Sequence, residues 1–403
     1  MTMFALAFAY LLRRWGQALL SILVGALGIA AVAIALIGFD ALPDAAERSW
    51  GGVDLVIGPK GSALDLVMCC ALHISDPTGL VSEKAAMKAA GHPLVRIAAP
   101  IALGDNVNGL RIVGTTPAIF SIYGATFAVG DTWSRPLEAV LGAQAARVLH
   151  FRMGDTFIGA HGLALGGEMH SQFPYKVVGI LAPTGSVLDR LVLCDIATVR
   201  YIHEKHREDE LAETGVSEAT VNLPDAATAI IAAYRSPVGA VLVPRLINAE
   251  PTLTAASPTF EIARVMSYLR PLSAALTAFG ALLVAIAIAG AAAGLVATMN
   301  ARTRDLALLR ALGAGPMRIA SVALAEAMLI AGAALFVATI LTSCVLYWGV
   351  DALAERTGLL LRPQITMDDV VYLVAGAFVT AALAALFPAL RAGHASIEEL
   401  LQS

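Results

Sequence analysis

Long uncharged apolar stretches constrain this chain more than any other feature. Gln17 to Phe39 carries no charge, between Arg14 and Asp40. Pro271 to Ala301 carries none between Arg270 and Arg302, and Val370 to Leu390 none between Asp369 and Arg391. Ile319 to Val350 holds a single acid, Glu326. A helix crosses a bilayer with about 20 mostly apolar residues, so each stretch reads as a membrane span. All four are rich in Ala, Leu, Val and Gly, and small residues let helix backbones approach closely in lipid.

Composition agrees. Hydrophobic residues make up 58% and charged residues 14% of the 403, against about a quarter charged in soluble domains. Such a chain is not disordered, because disorder needs low hydrophobicity and high net charge. A net charge of −4 gives no basic field for nucleic acid. Four cysteines are too few for a disulfide-built fold.

The first span competes with a cleaved signal peptide, but its apolar core is too long for one. Residues before it read as an amphipathic helix ending at Arg13 and Arg14. Lys and Arg in short loops set orientation. Arg302, Arg304, Arg310 and Arg318 fill the loop between spans two and three, and Arg391 follows span four. Both termini and that loop are therefore expected in the cytoplasm, with the long insertion outside, in the periplasm if the cell is Gram-negative.

The expected fold class is a membrane protein of four transmembrane α-helices, one plus three, with a large mixed α/β extracytoplasmic domain between spans one and two. The expected divisions are a cytoplasmic amphipathic helix over 1–16, spans at 17–39, 269–299, 319–349 and 370–390, an external domain over 40–268, a cytoplasmic loop over 300–318, an external loop over 350–369 and a tail over 391–403. Within the external domain, Val53–Gly58, Arg111–Gly114, Ala139–Gly142, Lys176–Leu181 and Gly239–Val243 read as strands ended by Gly or Pro. Ser82–Ala90, Ala143–Leu149, Ile196–Lys205 and Asp225–Tyr234 read as helices, and Glu250 to Arg270 as a helix descending into span two.

A nucleotide-hydrolysing chain needs a phosphate cradle, and GxxxxGK[ST] is absent. Gly58-Pro59-Lys60-Gly61-Ser62 has the wrong spacing and reads as a turn before a helix. The cytoplasmic loop is more informative. Leu306, Leu309 and Leu312 share one helical face, Arg302 and Arg310 lie off it, and Gly313 with Gly315-Pro316 ends the helix. A plain positive-inside loop would explain the arginines but not the leucine face.

Arg302-Thr303-Arg304-Asp305-Leu306-Ala307-Leu308-Leu309-Arg310-Ala311-Leu312-Gly313-Ala314 resembles the cytoplasmic loop of MacB/FtsX/LolC-type (type VII) ABC transporter permeases. Phe387-Pro388-Ala389-Leu390-Arg391-Ala392 is similar to their ending, and Gly154-Asp155-Thr156-Phe157 with Val177-Val178-Gly179-Ile180-Leu181 resembles their MacB-like periplasmic core. The layout of one span, a large external domain and three spans matches too. The resemblance implies a permease subunit that is not itself an enzyme, with ATP bound by a separate ABC ATPase subunit. It implies mechanotransmission from that ATPase to the periplasmic domain, with Arg302, Arg304, Asp305, Leu306, Leu309, Arg310 and Leu312 forming the coupling contact. It also implies a homodimer or a pair of related permeases, and a periplasmic or lipoprotein partner. Glu326 matches an acid the family carries early in span three; an ionisable group there is either functional or pairs near the interface with Arg318. An FtsX-like regulator of a cell-wall hydrolase and a zinc-linked permease are the rival functions.

Seven of the eight histidines fall in the external domain: His73, His92, His150, His161, His170, His203 and His206. Cys69 lies four residues before His73, a helical spacing that suits Zn2+. His161 and His170 bracket a Gly-rich loop, and Cys69, His73, His161 and His170 form the expected metal set against a bland reading of scattered surface histidines. His203-Glu204-Lys205-His206 is one residue short of HExxH, which argues against a metalloprotease. Cys69, Cys70 and Cys194 leave one disulfide with an odd thiol as an open arrangement, and Cys344 packs in span three.

Overall fold

The computed structural model describes residues 3–13, 15–162, 167, 169–214, 225–300, 316–357 and 366–394. Its helices are α1 (Met3–Arg13), α2 (Trp15–Trp50), α3 (Ala63–Cys70), α4 (Glu83–Ala90), α5 (Ala118–Tyr123), α6 (Ala143–Leu149), α7 (Ile196–Thr214), α8 (Gly239–Asn248), α9 (Pro258–Asn300), α10 (Pro316–Thr357) and α11 (Met367–His394). Its strands are β1 (Leu55–Pro59), β2 (Val81–Ser82), β3 (Val95–Val107), β4 (Leu110–Thr115), β5 (Phe127–Gly130), β6 (Glu138–Leu141), β7 (Thr156–His161), β8 (Met169–Leu181), β9 (Val192–Asp195), β10 (Ala226–Ala227), β11 (Ala229–Tyr234) and β12 (Leu253–Ala256). The chain divides into a helical unit, drawn from residues up to Leu42 and from Tyr268 onward, and a second unit built mainly from Pro43–Ser267.

In the helical unit, three helices are long and apolar enough to cross a membrane: Trp15–Trp50, Pro258–Gly290 and Leu324–Val350. The fourth expected span, 370–390, lies within α11. Their contacts are made by small residues. Ala26 and Ala30 of α2 pack on Ala334 and Ala338 of α10, and Ala327 and Ala331 of α10 pack on Ala381 and Ala385 of α11. At the crossing of α2 and α9, Gly28 faces Gly280. A Cβ on either one would lie 2.8 Å from the carbonyl oxygen of the other. Lipid tails are as apolar as leucine, so helices associate through such close packing.

The second unit is organised by a ten-stranded sheet in the order β12-β1-β11-β3-β4-β9-β6-β8-β5, with β7 paired to both β3 and β8. Most pairs are antiparallel; β4 with β9 and β6 with β8 are parallel. Side chains alternate along each strand, and both faces are apolar. Val56, Val113, Val140, Leu193 and Ile231 enter one core with α3 and α5. Their neighbours Leu55, Ile57, Ile112, Leu141, Val192 and Ile230 enter another with α4, α6, α7 and α8. Strands buried on both faces read as unbroken hydrophobic runs.

That rule corrects the expected helix over Asp225–Tyr234. Ala229, Ile230, Ile231 and Ala232 are all fully buried, so the segment has no polar face and forms β10 and β11. Gly239–Val243, expected as a strand, is the first half of α8, whose buried residues Gly239, Val243 and Ile247 recur every fourth position. The expected helix over Glu250–Arg270 begins only at Pro258, because Leu253–Ala256 pairs with β1 as β12. Proline suits the first turn of a helix, where its missing N–H is not needed. Of residues 58–62, expected as a turn before a helix, Gly58 and Pro59 end β1 by pairing with β12, and residues 60–62 make the turn into α3. Ser62 caps α3 by accepting from Asp65 N, and Lys60 Nζ donates to the carbonyls of Asn248, Glu250 and Leu253.

Candidate functional site

Three strands and a helix build one polar cluster in the second unit. Strand β3 is apolar from Ile97 to Leu103 and turns polar at Gly104-Asp105-Asn106, where its pairing with β4 shifts register between Leu103 and Asp105. A bulge of this kind re-aims a side chain. Asp105 stands directly across from His161 of β7. His170 enters from the start of β8, and His203 from α7. Helix α7 packs through Ile196, Val199 and Ile202, which sets His203 on the neighbouring face position. Arg200 ties the helix down by pairing with Glu83 and donating to Ala226 O at 2.9 Å.

All three imidazoles converge on one carboxylate oxygen. Asp105 Oδ1 lies 3.6 Å from His161 Nδ1, 3.2 Å from His170 Nε2 and 3.4 Å from His203 Nε2. The Asp105 side chain is 0% exposed and that of His170 3%, whereas His161 is 45% and His203 33% exposed. The cluster is therefore closed at its acid and open on one side. Burial alone would push the Asp105 carboxyl up, but its contacts with His161, His170 and His203 outweigh that and hold it well below the usual carboxylate range. His203 comes this close because residue 104 is glycine. A Cβ there would meet His203 Nε2 at 2.5 Å. Asn106 supports the opposite side by donating to Gly162 O at 2.9 Å, just beyond His161.

Among the described residues, Asp105, His161 and His203 are the group whose metal-ligating atoms all lie within 4.8 Å of one another. Of the four residues expected to form a metal set, His161 and His170 meet in this cluster and Cys69 and His73 do not. Cys69 and Cys70 close α3 in the core on the other face of the sheet. His73 is buried there too; burial, with Arg111 and Arg190 nearby, pushes its imidazole down to about 3. The Cys69 thiol is lowered chiefly by its hydrogen bond from Cys70, with Arg111 adding to the effect. Two arginines beside this group oppose a cation. Cys69, Cys70, Cys194 and Cys344 are free thiols, so the open disulfide arrangement is not formed.

Sequence reasoning did not single out Asp105, and it placed His203 only in a failed protease motif. The available signal was the acid itself, an aspartate two residues beyond the apolar run from Ile97 to Leu103. The coupling residues Arg302, Arg304, Asp305, Leu306, Leu309, Arg310 and Leu312 lie outside the described residues. Glu326 is buried within the helical unit, 9% exposed.

A family model described as the MacB-like periplasmic core domain matches residues 18–235, and one described as the FtsX-like permease C-terminal matches residues 277–397. The two matches define a transporter permease that carries an external domain. The chain belongs to the MacB/FtsX-type ABC permease family. In that family ATP hydrolysis resides on a separate subunit, and no catalytic activity is indicated for this chain. Family and apolar helices together make it a multi-pass membrane protein. Among solved structures, the chain is similar to the periplasmic region of MacB from Actinobacillus actinomycetemcomitans, with 12% identity and a TM-score of 0.33 over 54% of this chain and 94% of that one. It is also similar to the extracellular domain of the noncanonic ABC-type transporter YknZ from Gram-positive bacteria, with 11% identity and a TM-score of 0.29 over 51% of this chain and 99% of that one. No curated protein matches the chain.

Proposed function

We propose that this chain is a mechanotransmitting permease subunit, passing ATP-driven motion from a partner ATPase to its external domain. The observation that carries this reading is the length and continuity of two helices. Helix α2 has 36 residues and α9 has 43. At about 1.5 Å per residue they measure roughly 54 and 65 Å, well beyond the ~30 Å hydrocarbon core. Each also packs in both units. In α2, Ala26 and Ala30 pack within the helical unit, while Ala46 and Trp50 belong to the core of the sheet domain. In α9, Gly280 meets Gly28, while Ile262 and Met266 belong to that same core. Both helices run in the chain from one unit into the other, α2 with Pro43 and α9 with Pro271 inside it, which supports a reading in which they link the two.

The reading has four spans, a cytoplasmic coupling helix over 302–313, and two permeases with two ATPases. Arg302, Arg304, Asp305, Leu306, Leu309, Arg310 and Leu312 make the ATPase contact, and Glu326 supplies a buried acid between spans. The test is gentle detergent purification of the tagged full chain with mass spectrometry of what accompanies it. An ABC ATPase should co-purify, and Arg304→Glu combined with Leu309→Asp should release it while the permease stays folded. ATPase binding that survives both changes overturns the docking assignment. A cell-wall hydrolase recovered on the external domain, with no transported substrate, would make the chain an FtsX-like regulator.

A further inference from the structure

We propose that Asp105, His161 and His203 form a binding site for one divalent transition-metal ion of the Zn2+ class, with His170 orienting the Asp105 carboxylate. The inference does not depend on the mechanotransmission reading.

The first argument is spacing. Tetrahedral Zn2+ holds nitrogen and oxygen ligands at about 2.0–2.1 Å, which puts neighbouring ligand atoms about 3.3 Å apart. His161 Nδ1 and His203 Nε2 stand 3.6 and 3.4 Å from Asp105 Oδ1. Those are the edges of such a coordination shell.

The second argument is the hydrogen-bond pattern. A purely hydrogen-bonded cluster would spread its donors over both carboxylate oxygens. Here all three rings face Oδ1, while Oδ2 is buried with no hydrogen-bond partner. His203 Nε2 is buried and also lacks one, despite its 3.4 Å approach. Buried polar atoms left unmatched are destabilising. A cation among them would satisfy His203 Nε2 and the Asp105 carboxylate together. His170 Nε2–H donates at 3.2 Å to the same oxygen from a buried position. From there it fixes the carboxylate in place, as outer partners of metal ligands do.

The third argument is ligand chemistry. Imidazole with carboxylate suits Zn2+ and its neighbours rather than Ca2+ or Mg2+, which prefer all-oxygen shells. Because His161 and His203 are partly exposed, the ion has a path in from solvent. Bound there, it would tie β3, β7 and α7 together.

The experiment uses the full-length chain in detergent, stripped with a chelator and titrated with Zn2+ against a chromophoric competitor. One equivalent per chain is expected. His161→Ala and His203→Ala should each weaken binding at least tenfold, and the double variant should abolish it. Cys69→Ser with His73→Asn should leave it unchanged. Co2+ substitution should give the visible bands of a tetrahedral nitrogen–oxygen site with no thiolate charge-transfer band, which reports on the unmutated chain if a variant misfolds. Absence of stoichiometric binding by the folded wild-type chain overturns the proposal. So does binding that persists in the double variant, or a thiolate band with Co2+.

Discussion

The His203 imidazole lies over Gly104, so close that a methyl group on residue 104 would sit 2.5 Å from Nε2 and 2.6 Å from Cε1. Ring and backbone are pressed together because α7 is anchored on the sheet by Val199 and Ile202 and on α4 by Arg200. Gly104→Ala should swing the ring away from Asp105 while the sheet persists. Zn2+ affinity is then expected to fall by about 10–100-fold, the range typical for disturbed ligand positioning. Competition titration measures this, with circular dichroism confirming the fold.

The crossing of α2 and α9 predicts a second glycine effect. Gly280→Ala places a Cβ 2.8 Å from the Gly28 carbonyl oxygen. Overpacking of this kind costs about 1–3 kcal/mol. Gly332 of α10 has nothing within 4 Å of an added Cβ, so Gly332→Ala should be neutral or stabilising. Thermal unfolding of the two variants in detergent should separate them, and equal midpoints would contradict the close crossing.

His73 predicts a pH dependence. Its imidazole ordinarily titrates near 6.5 and is pushed to about 3 by burial, with the Arg111 and Arg190 charges acting in the same direction. The unfolded chain therefore takes up the proton first. The contribution of neutral His73 is fully present above pH 6.5, shrinks as pH falls below it, and is lost on reaching about 3. The amount at stake is on the order of 3–5 kcal/mol. His73 has φ +55, a left-handed conformation that asparagine also accepts. His73→Asn should flatten the loss of stability between neutral pH and pH 4, measured by denaturant unfolding at both.

Lys60 should act as a local fastener. Its ammonium donates to three carbonyls, at 3.1 Å to Asn248, 3.2 Å to Glu250 and 3.1 Å to Leu253. These satisfy carbonyls at and just beyond the end of α8. Lys60→Met keeps the stem but removes the donors, and a loss of about 1 kcal/mol is expected because the group is exposed. Hydrogen exchange should rise first at the end of α8 and in β12.

Much of the architecture was legible because the relevant rules are local. An uncharged run from Gln17 to Phe39 admits little but a span. Ser62 and Ser82 cap the helices that follow them, and a serine before a helical run is a sequence-level signal. Asp225–Tyr234 and Gly239–Val243 were misread because short apolar runs carry no period that separates a buried strand from a helix. Their neighbours decided. The Ile230–Ile231 run is flanked by β1 and β3, whereas Gly239–Asn248 has only one apolar face to bury.

The histidine cluster shows the same division more sharply. The sequence determined that a membrane-embedded chain would carry an external domain rich in His, with His161 and His170 close in the chain. Helical spacing pointed to Cys69 with His73, and nothing along the chain joined Asp105 to His203, which are 98 residues apart. The tertiary structure chose by sheet geometry. The bulge in β3 turns Asp105 toward His161 across the ladder, and α7 lays His203 over Gly104. The sheet leaves Cys69 and Cys70 packed on its opposite face. Spacing along the chain governs residues within one element, but which elements meet is set by strand pairing and packing over long separations.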